Sequence, residues 1–230
     1  MNPIVEGIRE AFRLLVTLDP EVVSIAGVSL KVSLASAAAA TLMGIPMGFA
    51  LATREFRGRG VTITLVNALL ALPTVVVGLF CFALLSRQGP IGVLGLLFTP
   101  VAMAVGQTIL ATPIVTAFTL AAVQAVDPRV AETARTLGAT HSQMRWTILV
   151  EARFAVLAAI IAAFGRVVAE VGVSLMLGGN IRHFTRNLTT AIALETSKGE
   201  FGLGLALGII LMFIGFVVNG GLYMVQRWES

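Results

Sequence analysis

Charged residues are scarce in this sequence. Only 12% of its 230 residues are Asp, Glu, Lys or Arg, and 57% are hydrophobic. Soluble domains carry about 25% charged residues, so this chain has too little polar surface to stay folded in water by itself. The shortage of charge excludes an ordinary soluble protein and predicts that lipid covers much of the surface.

Residues that build metal and catalytic sites are also scarce. The chain has one cysteine, Cys81, inside an apolar run, and two histidines, His141 and His183, without metal-ligand spacing. It contains no G-x-x-x-x-G-K-[ST] phosphate loop and no H-E-x-x-H pair. We therefore expect no metal, cofactor or ATP site in this chain and no catalysis by it. An intramembrane enzyme stays a remote alternative, and a structural scaffold protein is a third class.

Long apolar runs dominate what is present. Crossing the hydrocarbon takes about 20 largely apolar residues. Five segments of the chain meet this length: 28–52, 61–85, 100–123, 154–177 and 203–225. They predict an all-α, polytopic membrane helical bundle with five transmembrane helices over residues 23–230, preceded by an amphipathic segment at 1–22. Prolines 46, 73 and 113 lie within the runs and predict bends.

Arginine in the short loops predicts the orientation. Positive residues concentrate between the first two runs and between the third and fourth, which favours a cytoplasmic position for those loops. The N-terminus is then outside and the C-terminus is cytoplasmic. Arg182, Arg186 and Lys198 in the loop 178–202 argue weakly against this orientation, and we interpret them as functional charges outside.

The segment 127–150 predicts an ordered helical hairpin in a cytoplasmic loop. Asp127 is a helix cap, Pro128 suits a first helical position, and Gly138 predicts a left-handed stop. A second helix is expected to begin near Ser142. A plain connection between two spans needs only a few residues, so a structured projection of this kind indicates a surface that receives a partner.

This segment resembles a known motif. Glu132-Thr133-Ala134, three residues, Gly138, nine residues and Ile148 are similar to the EAA loop of bacterial ABC importer permeases, which reads Glu-Ala-Ala, three residues, Gly, nine residues, Ile-x-Leu-Pro. Thr133 and the pair Val150-Glu151 depart from the pattern. The resemblance implies the type I (MetI-like) permease fold and a coupling helix that docks on a cytoplasmic ABC ATPase. It assigns that contact to Glu132, Ala134 and Gly138.

The same resemblance implies the rest of the assembly. We expect two copies of this chain, a cytoplasmic dimer of ATPase subunits that binds the ATP, and an extracytoplasmic substrate-binding protein. The lipid bilayer is the remaining partner, which the resemblance implies to be a bacterial cytoplasmic (inner) membrane, and no nucleic acid is expected.

Two opposite charges lie inside the fourth run. Arg166 and Glu170 are four residues apart, so one continuous helix would place them on the same face and let them pair. A charge at the middle of a membrane helix costs about 2.5–3.5 kcal/mol on insertion scales, so neither is expected to face lipid. The pair is interpreted as lining or gating the pathway, with a structural ion pair as the equal alternative.

The region from Phe164 to Met212 carries the most specific resemblance. It is similar to tungstate permeases and more loosely to molybdate permeases, which implies an oxyanion importer, most of all for tungstate, with molybdate or another oxyanion as the alternative. The recurring pieces are Gly165-Arg166, Glu170-Val171-Gly172, Gly178-Gly179-Asn180-Ile181, residues 185–192 and residues 195–201.

The loop after the fourth run has groups that suit an anion. Gly178, Gly179 and Asn180 are able to present backbone N–H groups in turns, and Arg182 and Arg186 add positive charge. The family resemblance adds a second interpretation, because a binding protein delivers the substrate to this side. Docking of that protein is favoured over direct anion contact.

Overall fold

The structure, a computed structural model, describes residues 3–227, so the ends of both predicted terminal segments, 1–2 and 228–230, lie outside the described residues. Within them the chain forms α-helices and one short 3-10 helix, Gly92–Leu94, and no strand, which confirms the all-α prediction. The α-helices are α1 (Pro3–Val16), α2 (Pro20–Thr53), α3 (Arg59–Leu70), α4 (Thr74–Leu85), α5 (Pro100–Gln124), α6 (Pro128–Thr136), α7 (His141–Glu151), α8 (Arg153–Val168), α9 (Gly172–Gly178), α10 (Leu188–Lys198) and α11 (Phe201–Arg227).

Three of these helices, α2, α5 and α11, are long and apolar enough to cross a membrane individually. Two bent pairs, α3 with α4 and α7 with α8, meet the criterion when each pair is taken as one span, which brings the number to at most five among the described residues. The five predicted runs coincide with these helices: 28–52, 100–123 and 203–225 with α2, α5 and α11, 61–85 with α3 and α4, and 154–177 with α8 and α9 rather than with the pair α7–α8. Two of them, 61–85 and 154–177, are broken rather than continuous helices.

Helices α2 and α5 form the centre of the bundle and run parallel. Ser36 of α2 donates a hydrogen bond to Gln107 of α5 at 3.1 Å, and Gly48 lies where an added Cβ would meet the Thr116 carbonyl oxygen at 2.4 Å. The spacing between contacts is similar on both helices, so they advance in the same direction. The chain between them must therefore return across the bundle.

Helices α3 and α4 make that return with a 100° bend between them. Val66 of α3 packs with Leu51 near the end of α2, whereas Cys81 of α4 packs with Ala102 at the start of α5. Pro73 caps α4 with no side-chain hydrogen bond, and it lacks the N–H needed to continue α3. The bend predicted at Pro73 is confirmed. Pro46 and Pro113 lie inside continuous helices.

The fourth run is two helices. Val156 of α8 packs against Val123 near the end of α5, and Leu177 of α9 packs against Ala102 near its start, so α8 and α9 together run antiparallel to α5. Between them α8 ends at Val168 and α9 begins at Gly172. Gly172 lies against the first residues of α4, where an added Cβ would meet Thr74 Oγ1 at 3.0 Å.

The predicted outer loop 178–202 also contains a helix, α10. Leu188 and Ala191 of α10 pack with Ile25 of α2 and Leu207 of α11, and they complete the core at this end of the bundle. Helix α11 then continues along α8, where an added Cβ on Gly165 would meet Val218 at 3.1 Å.

Helix α1 packs on the start of α11 through its small residues. Ala11 is fully buried, and Gly7 lies where an added Cβ would meet Phe201 Cβ at 3.4 Å. Its other face exposes large apolar side chains: Val5, Ile8, Phe12 and Val16. This arrangement is typical of an amphipathic helix between a bundle and the membrane surface.

Candidate functional site

The helical hairpin α6–α7 lies at the end of the bundle where α5 ends. Asp127 Oδ1 accepts a hydrogen bond from the Arg129 backbone N–H at 2.9 Å and so caps α6. The Arg129 guanidinium also binds this carboxylate, at 2.6 Å, and these hydrogen bonds lower the pKa of Asp127. Helix α7 begins with a capping box between Thr140 and Gln143. Both helices of the predicted hairpin are thus fixed by local capping.

Gly138 makes the turn between the two helices. Its φ of +80° is the left-handed conformation that the sequence predicted for this glycine. The Ala139 N–H donates to the Ala134 carbonyl at 2.9 Å and closes the end of α6. On the other side of the turn, Arg135 Nε donates to Met144 Sδ at 3.3 Å. The turn holds α6 and α7 in one fixed arrangement.

A depression of about 620 Å³ on this hairpin, the hairpin groove, offers a surface for a partner. Ala134 is nearly buried there, whereas Glu132 is exposed and does not line it. Leu137 is 82% exposed and Trp146 67% exposed. The sequence interpretation missed Trp146, although a Trp in a polar loop is a signal. The groove lining consists of Asp127, Arg129, Val130, Thr133, Ala134, Leu137, Ala139 and Thr147.

Arg166 and Glu170 form the ion pair that the sequence predicted, but not on one helix face. Arg166 Nη1 lies 2.7 Å from Glu170 Oε2. Helix α8 ends at Val168, so Glu170 lies in the break between α8 and α9. The expectation of a single continuous helix was wrong because the break residues, Ala169 to Val171, are mostly apolar and match a membrane span by composition.

The two outer-loop arginines are matched by carboxylates from other parts of the chain. Arg182 Nε donates to Glu21 Oε1 at 2.9 Å, and this contact raises the pKa of Arg182. Arg186 lies between Glu21, at 3.3 Å, and Glu195, at 3.5 Å. Lys198 also binds Glu195, at 3.1 Å. These five residues, the outer ion network, connect α2, the loop before α10, and α10.

Gly178, Gly179 and Asn180 shape the turn after α9. Gly178 is buried, and an added Cβ would meet Met103 Sδ at 2.6 Å. Gly179 has a φ of +66°, and its N–H donates to the Leu175 carbonyl at 3.0 Å. Asn180 Nδ2 donates to the Thr190 carbonyl at 3.3 Å. In this conformation the Gly179 N–H is used within the turn.

The threonines of this region are also engaged inside the chain. Thr185, Thr189 and Thr190 are buried. The Thr189 hydroxyl donates to the Glu170 carbonyl at 2.8 Å, and the Thr190 hydroxyl donates to Asn187 Oδ1 at 2.8 Å. The Thr189 hydroxyl thus holds α10 against the break between α8 and α9. The described residues contain no group of three or more His, Cys, Asp or Glu that could hold a metal ion.

Comparison with known proteins adds a family to this geometry. Residues 44–229 match the model of the family described as "Binding-protein-dependent transport system inner membrane component". The chain is 42% identical to a "Probable anion ABC transporter permease protein" of Haloferax volcanii, over 86% of this chain and 87% of that one. It is 40% identical to the "Tungstate uptake system permease protein TupB" of Campylobacter jejuni, over 99% and 95% respectively.

More distant similarities extend to other permeases. The chain is 30% identical to the "Molybdenum transport system permease protein ModB" of Azotobacter vinelandii, over 90% of this chain and 96% of that one. Among solved structures, the MetNI methionine ABC transporter in an inward-facing conformation matches with a TM-score of 0.71 and 19% identity, over 88% and 93% of the two chains. This likeness shows the MetI-like permease fold.

Proposed function

This chain belongs to the family of binding-protein-dependent transport system inner membrane components, and on that premise we propose that it is the permease subunit of an ATP-driven tungstate importer. The similarity that supports this proposal most directly is the 40% identity to a tungstate uptake permease over 99% of the chain. As a permease, the chain forms the path and leaves ATP hydrolysis to a separate subunit.

The hairpin groove is the contact we propose for the ATPase. Helix α6 ends in a fixed left-handed turn, so Leu137 stands out from the hairpin while Ala134 lies nearly buried behind it. Exposed apolar side chains beside a concave surface are typical of a protein docking site. Glu132 and Gly138 flank that surface, and Trp146 extends it along α7. Closure of two ATPase subunits would move two such hairpins together.

The assembly contains two copies of this chain in the proposal. One permease copy presents one hairpin, and an ABC ATPase dimer receives two. A substrate-binding protein docks on the opposite end, beside Gly178, Gly179, Asn180, Arg182 and Arg186. Because Arg182 and Arg186 are already paired with carboxylates in the outer ion network, we favour docking over direct anion contact for this surface.

The test is ATP hydrolysis by the reconstituted permease–ATPase complex with its binding protein, loaded in turn with tungstate, molybdate and sulfate. We expect the tungstate-loaded binding protein to stimulate ATP hydrolysis most strongly, and at the lowest concentration of the three loaded forms. An equal or stronger response to molybdate would move the substrate to the alternative that the 30% identity to a molybdenum permease favours. A folded complex that responds to none of the three would contradict the proposal.

A further inference from the structure

Arg166 places a positive charge in the middle of the bundle. At a rise of 1.5 Å per residue it lies ~20 Å from the start of α8 at Arg153, within a hydrocarbon core of ~30 Å. Its neighbour Val167 packs against Ala111 and Val115, which are central in α5. The contacts therefore place Arg166 at the middle depth of the bundle, away from the outer ion network.

The two partners of the Arg166–Glu170 pair differ sharply in exposure. The Glu170 side chain is 3% exposed and the Arg166 side chain 46% exposed. Glu170 is held at several atoms: Oε1 accepts from the Val173 N–H at 3.3 Å, and its carbonyl accepts from the Thr189 hydroxyl at 2.8 Å. The carboxylate is therefore fixed in the break between α8 and α9, while the guanidinium extends from it toward the surface.

The guanidinium keeps unused donors. It carries five N–H bonds on three nitrogens, and within the part of the chain that the structure describes only Nη1 has a partner, Glu170. Hydrocarbon strongly disfavours such a group, so the exposed side must face water or a second copy. The adjoining positions on α8 are Ala158 and Ala162, both partly exposed. Their small side chains leave room beside the guanidinium.

The other cations on the side of the bundle where α2 and α5 begin lie at a different depth from Arg166 or are paired. Arg182 and Arg186 are paired with carboxylates at the outer end. Lys31 of α2 is exposed, but it lies more than one turn before Ser36. Because Ser36 contacts Gln107 of α5, Lys31 lies near the level of the first turns of α5 and not at middle depth. Arg166 is thus the described cation at middle depth that keeps unused donors.

We propose that Arg166 contacts the oxyanion during its passage and that Glu170 is the positioning residue that holds the guanidinium at the pathway. This inference rests on the proposed function. The unused Nε and Nη2 donors suit two oxygens of an oxyanion, because guanidinium forms bidentate contacts of this kind. Glu170 also offsets the positive charge, so the anion is attracted without being held, which is what conduction requires.

The experiment compares two matched pairs of substitutions in the full complex. In Arg166→Gln with Glu170→Gln, both charges are removed, the net charge is unchanged, and a side-chain hydrogen bond is still possible. The control makes the same exchange in the exposed pair of α1, Arg13→Gln with Glu10→Gln. Arg166→Lys keeps the positive charge but removes the planar guanidinium that makes bidentate contacts. Proteoliposomes containing each complex receive tungstate-loaded binding protein, and tungstate uptake and ATP hydrolysis are measured together.

We expect the neutral Arg166–Glu170 pair to lower uptake at least about tenfold, equivalent to ~1.4 kcal/mol in the barrier, while stimulated ATP hydrolysis stays within about twofold of wild type. Arg166→Lys should give intermediate uptake, and the α1 control should match wild type. Wild-type uptake by the neutral pair would overturn the inference. A loss of ATP hydrolysis equal to the loss of uptake, in the neutral pair and in Arg166→Lys, would also overturn it, because a purely structural role of the ion pair predicts that result. If the wild-type complex itself takes up no oxyanion, the proposed function fails instead.

Discussion

Gly138 shows how one residue fixes the surface that we propose for the ATPase. Its left-handed φ lets α6 end at Thr136, with Leu137 as the C-cap, and α7 begin at His141. An added Cβ would meet nothing within 4 Å, so the constraint comes from the backbone and not from packing. For a residue with a side chain, the left-handed conformation is less favourable by about 1–2 kcal/mol of conformational free energy. The turn would then change shape, and Leu137 would move with it.

Gly138→Asp is therefore expected to abolish ATP-dependent uptake while the protein still inserts in the membrane. The substitution strains the turn and adds a carboxylate beside the hairpin groove. Gly199→Asp is the matched control, because Gly199 has a similar φ of +83° and open surroundings, but lies after α10. Uptake and co-purification of the ATPase are the measurements. Wild-type uptake by the Gly138 variant would refute the role, and equal loss in both variants would assign the effect to strain in general.

Arg186 shows why residue type alone did not describe the outer loop. The sequence presents a cluster of positive residues there, which suits an anion. In the structure the Arg186 side chain is 11% exposed and lies between Glu21 and Glu195. Glu21 is 165 residues away along the chain, so no local pattern could show the pairing. Arg182, with its side chain 60% exposed, is the more accessible of the two arginines.

At the scale of the helices, two glycines of α2 allow its backbone to lie very close to α5. Gly44 and Gly48 both lie against α5: an added Cβ on Gly44 would meet Val115 Cβ at 2.7 Å. Gly204 and Gly208 of α11 have the same four-residue spacing. Gly208 has nothing within 4 Å of an added Cβ. Glycines four apart mark close helix packing only when a partner helix faces them.

Gly48→Ala should destabilise the bundle by about 1–3 kcal/mol, because the new methyl group overlaps backbone of α5 that cannot rotate away. Gly27→Ala is the control in the same helix, since an added Cβ there meets nothing within 4 Å. The thermal unfolding temperature of the purified protein in detergent measures the difference. Equal unfolding temperatures for the two variants would show that α2 and α5 are less tightly packed than described.

The helices were predictable from the sequence where the thickness of the bilayer determines their length. The apolar run 100–123 became helix Pro100–Gln124 because its length matches the hydrocarbon and a Thr99 cap starts it. The break at Ala169–Val171 was missed because it depends on contacts of Gly172 with α4, which are long-range. Helix α10 was missed although its signals are local: Asn187 and Thr190 form a capping box, and Gly199 ends it at φ +83°.

The whole molecule separates the two surfaces for which we propose a partner. The hairpin groove lies where α5 ends, and the outer ion network lies where α2 begins. Parallel packing of α2 with α5 and antiparallel packing of α8–α9 place these surfaces at opposite ends of the bundle. With five crossings, as the sequence predicts, the start of α2 and the end of α11 lie on opposite sides of the membrane. Arginine in the short loops indicates which of these sides is cytoplasmic.

Single cysteines test that orientation. Ser142 of the hairpin and Ser197 of α10 are both exposed, and Cys81 is 2% exposed in α4 and can be replaced by Ala. In this background, a membrane-impermeant thiol reagent should label Ser197→Cys in cells whose outer face is accessible, because the predicted orientation places its end of the bundle outside. Ser142→Cys should react only after the cytoplasmic membrane is opened. The reverse pattern would invert the bundle, and the hairpin groove could not then meet a cytoplasmic ATPase.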